Sequence, residues 1–419
     1  MSRRHSASLT TATVYCIFIL ITFLTETQTF STVALPATFS TTSRRSTSKL
    51  FNGDGDDPIN AAINSLIPYI GDDSTRDSRE GGNRDPESGT WGNLGDDVQL
   101  FTPKGYDDGA KDVVFLGGFV LGSSSRSFYD YFITRIGTVT KSRVLCVNYQ
   151  KAGGQPLDHY EYAERAERIM EAIRKETSDS FDLVGHSLGC KIGTLMVAED
   201  SSFKVDSACF VSFNNADLLG SLDFLVKVVN RLNPQSERAT SQAVNTIKGL
   251  VGLFGQNVNF KPDRESFWKI AKKTWGVRKA DVSLLCLEGD DGLDDGLEFL
   301  DAMTGEGGEG GEGGDKARVF LTGSSADARE GGDESGGSGG IVLSTQERSS
   351  SGTFSVSAFD HPHLAPCYID VIDAIRSQTQ AQGFAGVDGA NIPSPTFGDK
   401  EQIEEIANAV CEEIMKRRT

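Results

Sequence analysis

Phe181-Asp-Leu-Val-Gly185-His186-Ser187-Leu188-Gly189-Cys190 is a short apolar run that ends in Gly-x-Ser-x-Gly, and Lys191-Ile-Gly-Thr-Leu-Met-Val-Ala198 follows it with helical composition. A serine between two glycines, after a strand and before a helix, is the pattern of a nucleophile elbow. The turn is strained and packs closely against its neighbours, so the flanking positions exclude a Cβ. Such a turn lifts the Ser187 hydroxyl to the carboxyl edge of a sheet. Leu188 N–H, in the first turn of the helix, can then help bind an oxyanion.

Working outward, the same strand-then-helix alternation recurs. Buried-strand runs are expected at 112–117, 143–148, 181–184, 208–213 and 282–287, and again at 353–359. Helices are expected at 129–136 and at 160–173, the latter with Asp158 as N-cap. Another is expected at 368–375, and a terminal helix at 399–418 starts from an Asp399/Gln402 capping pair. Strands separated by helices imply βαβ units and a mostly parallel sheet with helices on both faces.

A serine nucleophile needs a base, and the base needs an orienting carboxylate. Histidine is scarce: the chain has five, at 5, 159, 186, 361 and 363. With the order serine, acid, histidine, only Asp360-His361-Pro-His363-Leu-Ala-Pro366 can supply the base, and both of its histidines qualify. The acid is expected in Leu287-Glu-Gly-Asp290-Asp291-Gly-Leu-Asp294-Asp295. Asp291 is favoured, since it stands two residues before the apolar Leu293, and Asp294 competes with it. Oxyanion donors are expected at Leu188 and in the Gly118-Phe119 turn after the first predicted strand.

These motifs, in this order, imply an α/β-hydrolase-like fold. The chain further resembles the α/β-hydrolase-like domain-of-unknown-function family 1350 of plants and cyanobacteria. The resemblance lies in Gly117-Gly118-Phe119-Val120, Asp158-His159, Gly185-His-Ser-Leu-Gly-Cys-Lys191, Ser212-Phe-Asn-Asn215, Pro262-Asp-Arg-Glu265, Asp290-Asp-Gly-Leu-Asp294 and His363-Leu-Ala-Pro366. It covers about residues 110–300 and 353–375. It implies His363, rather than His361, as the family's histidine, and a plastid setting.

Composition limits the partners. Of 419 residues 38% are hydrophobic, enough for one large core, and the formal charge is −18. No Lys/Arg stripe or aromatic–basic interleaving occurs, which argues against nucleic acid. The seven cysteines lack metal-ligand spacing and no cofactor motif is present, so neither metal nor cofactor is expected. Several cysteines fall inside apolar runs, as buried thiols do in a reducing compartment.

Five regions are expected. Residues 1–51 combine a basic start and an apolar run at 12–24, too short to span a bilayer comfortably, with a Ser/Thr-rich, acid-free stretch from Phe30 to Phe51. The tandem resembles the bipartite plastid pre-sequences of algae with secondary plastids; a secretory signal or membrane anchor is the alternative. Residues 52–110 read as a flexible lead-in with a short amphipathic helix at 59–70. Residues 111–302 form the hydrolase core, interrupted at about 214–276 by a helical lid or, alternatively, an extra packed layer. Residues 303–352 read as a disordered Gly/Glu-rich insertion, apart from a strand-like run at 317–322. Residues 353–419 complete the core.

A serine hydrolase acting on an ester or thioester is the expected function. An apolar lid with Gly249-Leu-Val-Gly-Leu-Phe-Gly255 favours a lipid-like acyl substrate and would allow peripheral membrane contact. Acyl transfer to another acceptor is a variant of this chemistry. The alternative is a non-catalytic binding or assembly protein of the plastid, because fold alone does not imply function.

Overall fold

A computed structural model describes residues 88–107, 109–119, 125–150, 157–198, 201–221, 259–278, 280–287, 294–304, 341–349, 352–370 and 396–418, with Asp223, Asn245 and Lys248. The predicted pre-sequence, the 59–70 helix, the 249–255 turn, the 317–322 run, Asp290 and Asp291 lie outside the described residues.

Nine strands form one sheet: β1 (Gly89–Asn93), β2 (Val98–Pro103), β3 (Asp112–Leu116), β4 (Val144–Val147), β5 (Ser180–His186), β6 (Lys204–Val211), β7 (Asp281–Leu287), β8 (Ile341–Ser349) and β9 (Gly352–Phe359). Their spatial order is β1-β2-β4-β3-β5-β6-β7-β9-β8. From β4 through β9 every pairing is parallel, whereas β1 with β2, β2 with β4 and β8 with β9 are antiparallel. A parallel sheet with an antiparallel second strand and an elbow after the fifth is the α/β-hydrolase architecture.

Among the described residues six helices cover the sheet: α1 (Ser125–Thr140), α2 (His159–Ala172), α3 (Leu188–Met196), α4 (Arg264–Arg278), α5 (Gly296–Thr304) and α6 (Lys400–Arg418). Successive strand residues point to opposite faces, so the core divides in two. Val114, Leu116, Leu183, Phe210 and Leu284 pack with α2, α3, α4 and α5, while Val113, Phe115, Val184, Cys209 and Leu285 pack with α1 and α6. All five residues of β3 are buried. A strand covered on both faces reads as a continuous apolar run, which is why its sequence lacks alternation. Asp158 caps α2 as expected, its carboxylate accepting from the amides of Tyr160 and Glu161.

Helix α6 is fastened through buried charge. Asp182, inside β5, accepts from Arg418 Nη2 at 2.6 Å and from Ser207 Oγ at 2.5 Å. Arg418 also donates to Ser142 Oγ at 2.7 Å. The six described cysteines are buried free thiols.

Three expectations are corrected. The lead-in expected to be flexible to residue 110 contains β1 and β2. Their order comes from tertiary pairing with β4 and from Trp91 Nε1, which donates to Asp130 on α1 at 2.6 Å. The insertion expected to be disordered to residue 352 ends in β8, which pairs antiparallel with β9 with Ser349 opposite Gly352. Its first residues, Met303 and Thr304, finish α5 instead. Helical spacing at 368–375 gives way at Ile369–Asp370, which pairs antiparallel with Thr396–Phe397 as β10 and β11. Of the two readings of 214–276, a lid or an extra packed layer, the described end agrees with the second: α4 buries Phe267, Ala271, Thr274 and Trp275. Among the described residues no helix is long and apolar enough to cross a membrane.

Candidate active site

Ser187 sits between β5 and α3 with φ 54° and ψ −122°, a strained conformation for a residue with a side chain. Its amide donates to Val211 O at 3.0 Å, which ties the turn to the neighbouring strand. The flanking glycines are sterically required. A Cβ at Gly189 would stand 1.9 Å from Leu116 O, and one at Gly185 would stand 2.8 Å from the backbone of Cys190.

His363 lies in the turn after β9, and its Nε2 is 2.8 Å from Ser187 Oγ. Burial holds its pKa down at about 3, so the ring is neutral near pH 7 and can accept a proton. The second candidate, His361, is turned elsewhere. Its Nε2 pairs with Glu405 on α6 at 3.0 Å, its Nδ1 lies 3.0 Å from Asp360 O, and its ring stacks on Phe359. Pro362 alone separates the two histidines, yet one pairs with Glu405 and the other with Ser187.

On the other side of His363, Nδ1 is 2.5 Å from Ser212 Oγ. Ser212 follows β6, is fully buried, and has φ 48°. It lies near enough to Asp294 for its hydroxyl to favour the ionised carboxylate. Asp294 accepts from the amides of Leu287 at 2.7 Å and Gly296 at 2.8 Å. Burial nevertheless raises its pKa to about 7, helped by the charge of Asp295, against the pull of those two amides and Ser212. Asp295 faces away: it accepts from Asn215 N at 2.6 Å and pairs with Arg264 at 2.8 Å. Asp294 thus lies beside the site, while Asp291, the favoured candidate, lies outside the described residues.

The loop after β3 packs directly on the serine, since a Cβ added at Gly118 would be 3.3 Å from Ser187 Cβ. Tyr149 Oη donates to Gly117 O at 2.6 Å and Gln150 Nε2 donates to Gly118 O at 3.1 Å. Because a trans peptide sets its N–H opposite its carbonyl, the Gly118–Phe119 peptide points the Phe119 amide away from Gln150. Among the described residues neither Phe119 N–H nor Leu188 N–H has a hydrogen-bond partner. The third expected donor, Gly118 N–H, is taken: it donates to Tyr129 Oη at 3.0 Å.

Tyr129 Oη is also 2.8 Å from His186 Nδ1, and His186 Nε2 is 2.9 Å from His363 O. An amide can only donate, so the phenol accepts from Gly118 and can give its own proton to Nδ1. His186 Nε2–H then donates to the His363 carbonyl. Burial first, and then the nearby His363, lower the His186 pKa to about 3 and keep it neutral. This chain joins the oxyanion-side loop to the backbone of His363.

Sequence reasoning did not single out Ser212, Tyr129, Tyr149 or Gln150 for the site. Ser212 carried a faint signal, a small polar residue ending an apolar strand. The two tyrosines read as ordinary core aromatics.

No protein-family model matches the chain, and no curated protein matches it. Solved structures resemble part of it. A 2-hydroxy-6-oxo-6-phenylhexa-2,4-dienoate hydrolase from Rhodococcus sp. strain RHA1 is 16% identical over 48% of this chain and 82% of that one, with a TM-score of 0.34. A lipase from Bacillus licheniformis is 16% identical over 50% and 78%, with a TM-score of 0.33. A thioesterase domain from the curacin biosynthetic pathway is 13% identical over 52% and 89%, with a TM-score of 0.31. Likeness at this level carries no argument about activity. The strand order and the elbow themselves establish that the chain has an α/β-hydrolase fold.

Proposed function

We propose that the protein is a serine hydrolase that cleaves an ester or thioester of an apolar acyl group. The observation that carries this reading is the 2.8 Å approach of His363 Nε2 to Ser187 Oγ at a strained elbow. Ser187 Oγ attacks the acyl carbonyl carbon while its proton passes to His363 Nε2. The carbonyl electrons move onto oxygen, where the amides of Leu188 and Phe119 are placed to receive them. Collapse breaks the bond to the alcohol or thiol, which leaves with the proton from Nε2. Water then attacks the acyl-serine, gives its proton to the same nitrogen, and releases the acid as Ser187 is reprotonated.

Support for an apolar acyl group comes from Phe119, a residue 37% exposed in the loop that packs on Ser187. A fluorophosphonate probe should label the folded protein, and Ser187→Ala should abolish labelling. Absence of labelling on folded wild type would instead favour a non-catalytic binding role. The Ser/Thr-rich, acid-poor leader supports a plastid location reached through the secretory route. Residues 1–51 fused to a fluorescent protein should then mark plastids in an alga with secondary plastids, and secretion of the fusion would refute that part.

A further inference from the structure

We propose that His159 and Lys191 form a buried binding site for a small monocarboxylate, at the point where α2 and α3 meet the residues that lead into α4. The inference stands apart from the hydrolase reading above, because the hydrolysis uses neither residue.

Both side chains are almost wholly buried, His159 at 2% and Lys191 at 1% exposed. One short segment brings them together. His159 N donates to Lys261 O at 2.7 Å and Lys191 Nζ donates to Pro262 O at 3.0 Å, so the two residues are anchored to consecutive carbonyls. Lys191 is near enough for its charge to add to burial in holding the His159 imidazole neutral. That imidazole stacks on Phe260 with ring centres 4.5 Å apart, and more loosely on Tyr162 at 6.3 Å. Its faces thus have apolar company. Its edge has none of the polar company it needs, for among the described residues neither Nδ1 nor Nε2 has a hydrogen-bond partner, and the buried Tyr162 hydroxyl also lacks one.

Negative charge is what the cluster lacks. Pro262 O takes one of the three ammonium hydrogens of Lys191, and the Phe267 ring, 5.3 Å from Nζ, offers only its π face. The charged groups around Lys191 are Asp263, Asp295 and Arg264. Each acid is engaged elsewhere: Asp263 accepts from Ser266 N at 2.8 Å and Ser266 Oγ at 3.0 Å, and Asp295 from Asn215 N and Arg264. A buried ammonium without a counter-ion is costly, and so is a buried imidazole without partners. A carboxylate answers both, one oxygen accepting from Nζ and the other from the His159 N–H. A metal ion fits poorly, since Lys191 carries the same sign of charge. A phosphate dianion would bring more charge than one ammonium offsets. The ammonium also sets the pH range. Without an anion Lys191 sheds its proton above about 7, so carboxylate affinity should be level below that pH and fall about tenfold per unit above it.

The probe is ¹³C-formate, titrated into the full chain at constant ionic strength and followed by broadening of its resonance. At pH 6.5 wild type should bind it saturably. Lys191→Met should weaken binding about 10- to 100-fold, the worth of a hydrogen bond to a charged group. His159→Phe keeps the ring stack, removes both nitrogens, and should weaken binding about tenfold. Between pH 7 and 9 wild-type affinity should fall about 100-fold. If Lys191→Met does not fold, His159→Phe and the pH profile decide the matter. Absence of saturable binding, or binding that neither variant nor pH alters, overturns the inference and leaves these side chains to buried water. Ser187→Ala should bind formate as wild type does, so a failed hydrolase reading leaves this test intact. Competition between formate and p-nitrophenyl butyrate would assign the carboxylate to the substrate or product of Ser187, and non-competitive inhibition would assign it to a separate ligand; both results support the site.

Discussion

Replacing Lys191 with Met should make the protein more stable at pH 7 and less so at pH 11. Lys191 lies one helical turn beyond the nucleophile, 1% exposed, with Nζ donating to Pro262 O at 3.0 Å and standing 5.3 Å from the Phe267 ring centre. Burial lowers its pKa from the ordinary 10.5 to about 7, and Arg264 adds to this, while the negative charges of Asp263 and Asp295 oppose it. Because the folded pKa lies below the unfolded one, the unfolded chain binds more protons between pH 7 and 10.5. Stability therefore rises with pH across that window and loses this contribution again as pH falls toward 7. A drop from 10.5 to about 7, at about 1.4 kcal/mol per pH unit, makes the charged lysine cost on the order of 5 kcal/mol at pH 7 and below. Methionine keeps the volume and removes the charge. Against this, Pro262 O loses a donor, a cost of about 1–3 kcal/mol. The net gain at pH 7 should be roughly 2–4 kcal/mol by the same bookkeeping. Urea unfolding followed by tryptophan fluorescence, with Trp275 buried in α4 as reporter, measures it at pH 6, 7, 9 and 11. A difference between the two proteins that does not vary with pH, or a methionine variant less stable at pH 7, would refute the reasoning.

Four further outcomes are expected. Gly189→Ala forces a Cβ to 1.9 Å from the Leu116 carbonyl, a backbone atom that cannot swing aside, so it should cost more than about 4 kcal/mol and abolish soluble expression or the urea transition. His361→Gln should leave fluorophosphonate labelling within a few-fold of wild type, whereas His363→Gln should abolish it; equal effects would remove the distinction between their partners. The rate of labelling should fall as pH drops through about 7, because Asp294 takes up its proton there while the His363 ring stays neutral down to about 3. A profile flat to pH 5 would show that the Asp294 charge is not needed. The same group opposes folding. Its folded pKa is raised above the ordinary 3.8, so stability falls as pH rises from about 4 to about 7, and Asp294→Asn should recover part of it at pH 8 by thermal unfolding.

Much of the fold is legible in local sequence. The strands at 112–116, 144–147, 180–186 and 281–287 are runs of apolar and β-branched residues between breakers, and a strand covered on both faces needs nothing more specific. The elbow is legible for the same reason: Gly185 and Gly189 answer to steric demands within a few residues of themselves and from the adjoining strand. Residues 98–103 and 341–349 were not, because their short polar-apolar runs become strands only through partners tens of residues away. Helical spacing at 368–375 likewise lost at its start to pairing with Thr396–Phe397.

For the site, chain order by itself reduced the base to two histidines and the acid to one aspartate-rich turn. Tertiary structure decided which groups meet. His361 and His363 are two residues apart, and only the path of the turn after β9 sends one to Glu405 and the other to Ser187. Asp294 and Asp295 are neighbours, and the start of α5 turns one toward Ser212 and the other toward Arg264. Ser212 and His363 are 151 residues apart, and their contact exists because β6, β7 and β9 lie side by side with their carboxyl ends at one edge. Periodicity and turn chemistry act over a few residues and so can be read along the chain. Hydrogen-bond partnership depends on distances of about 3 Å between strand ends, which only the register of the sheet determines.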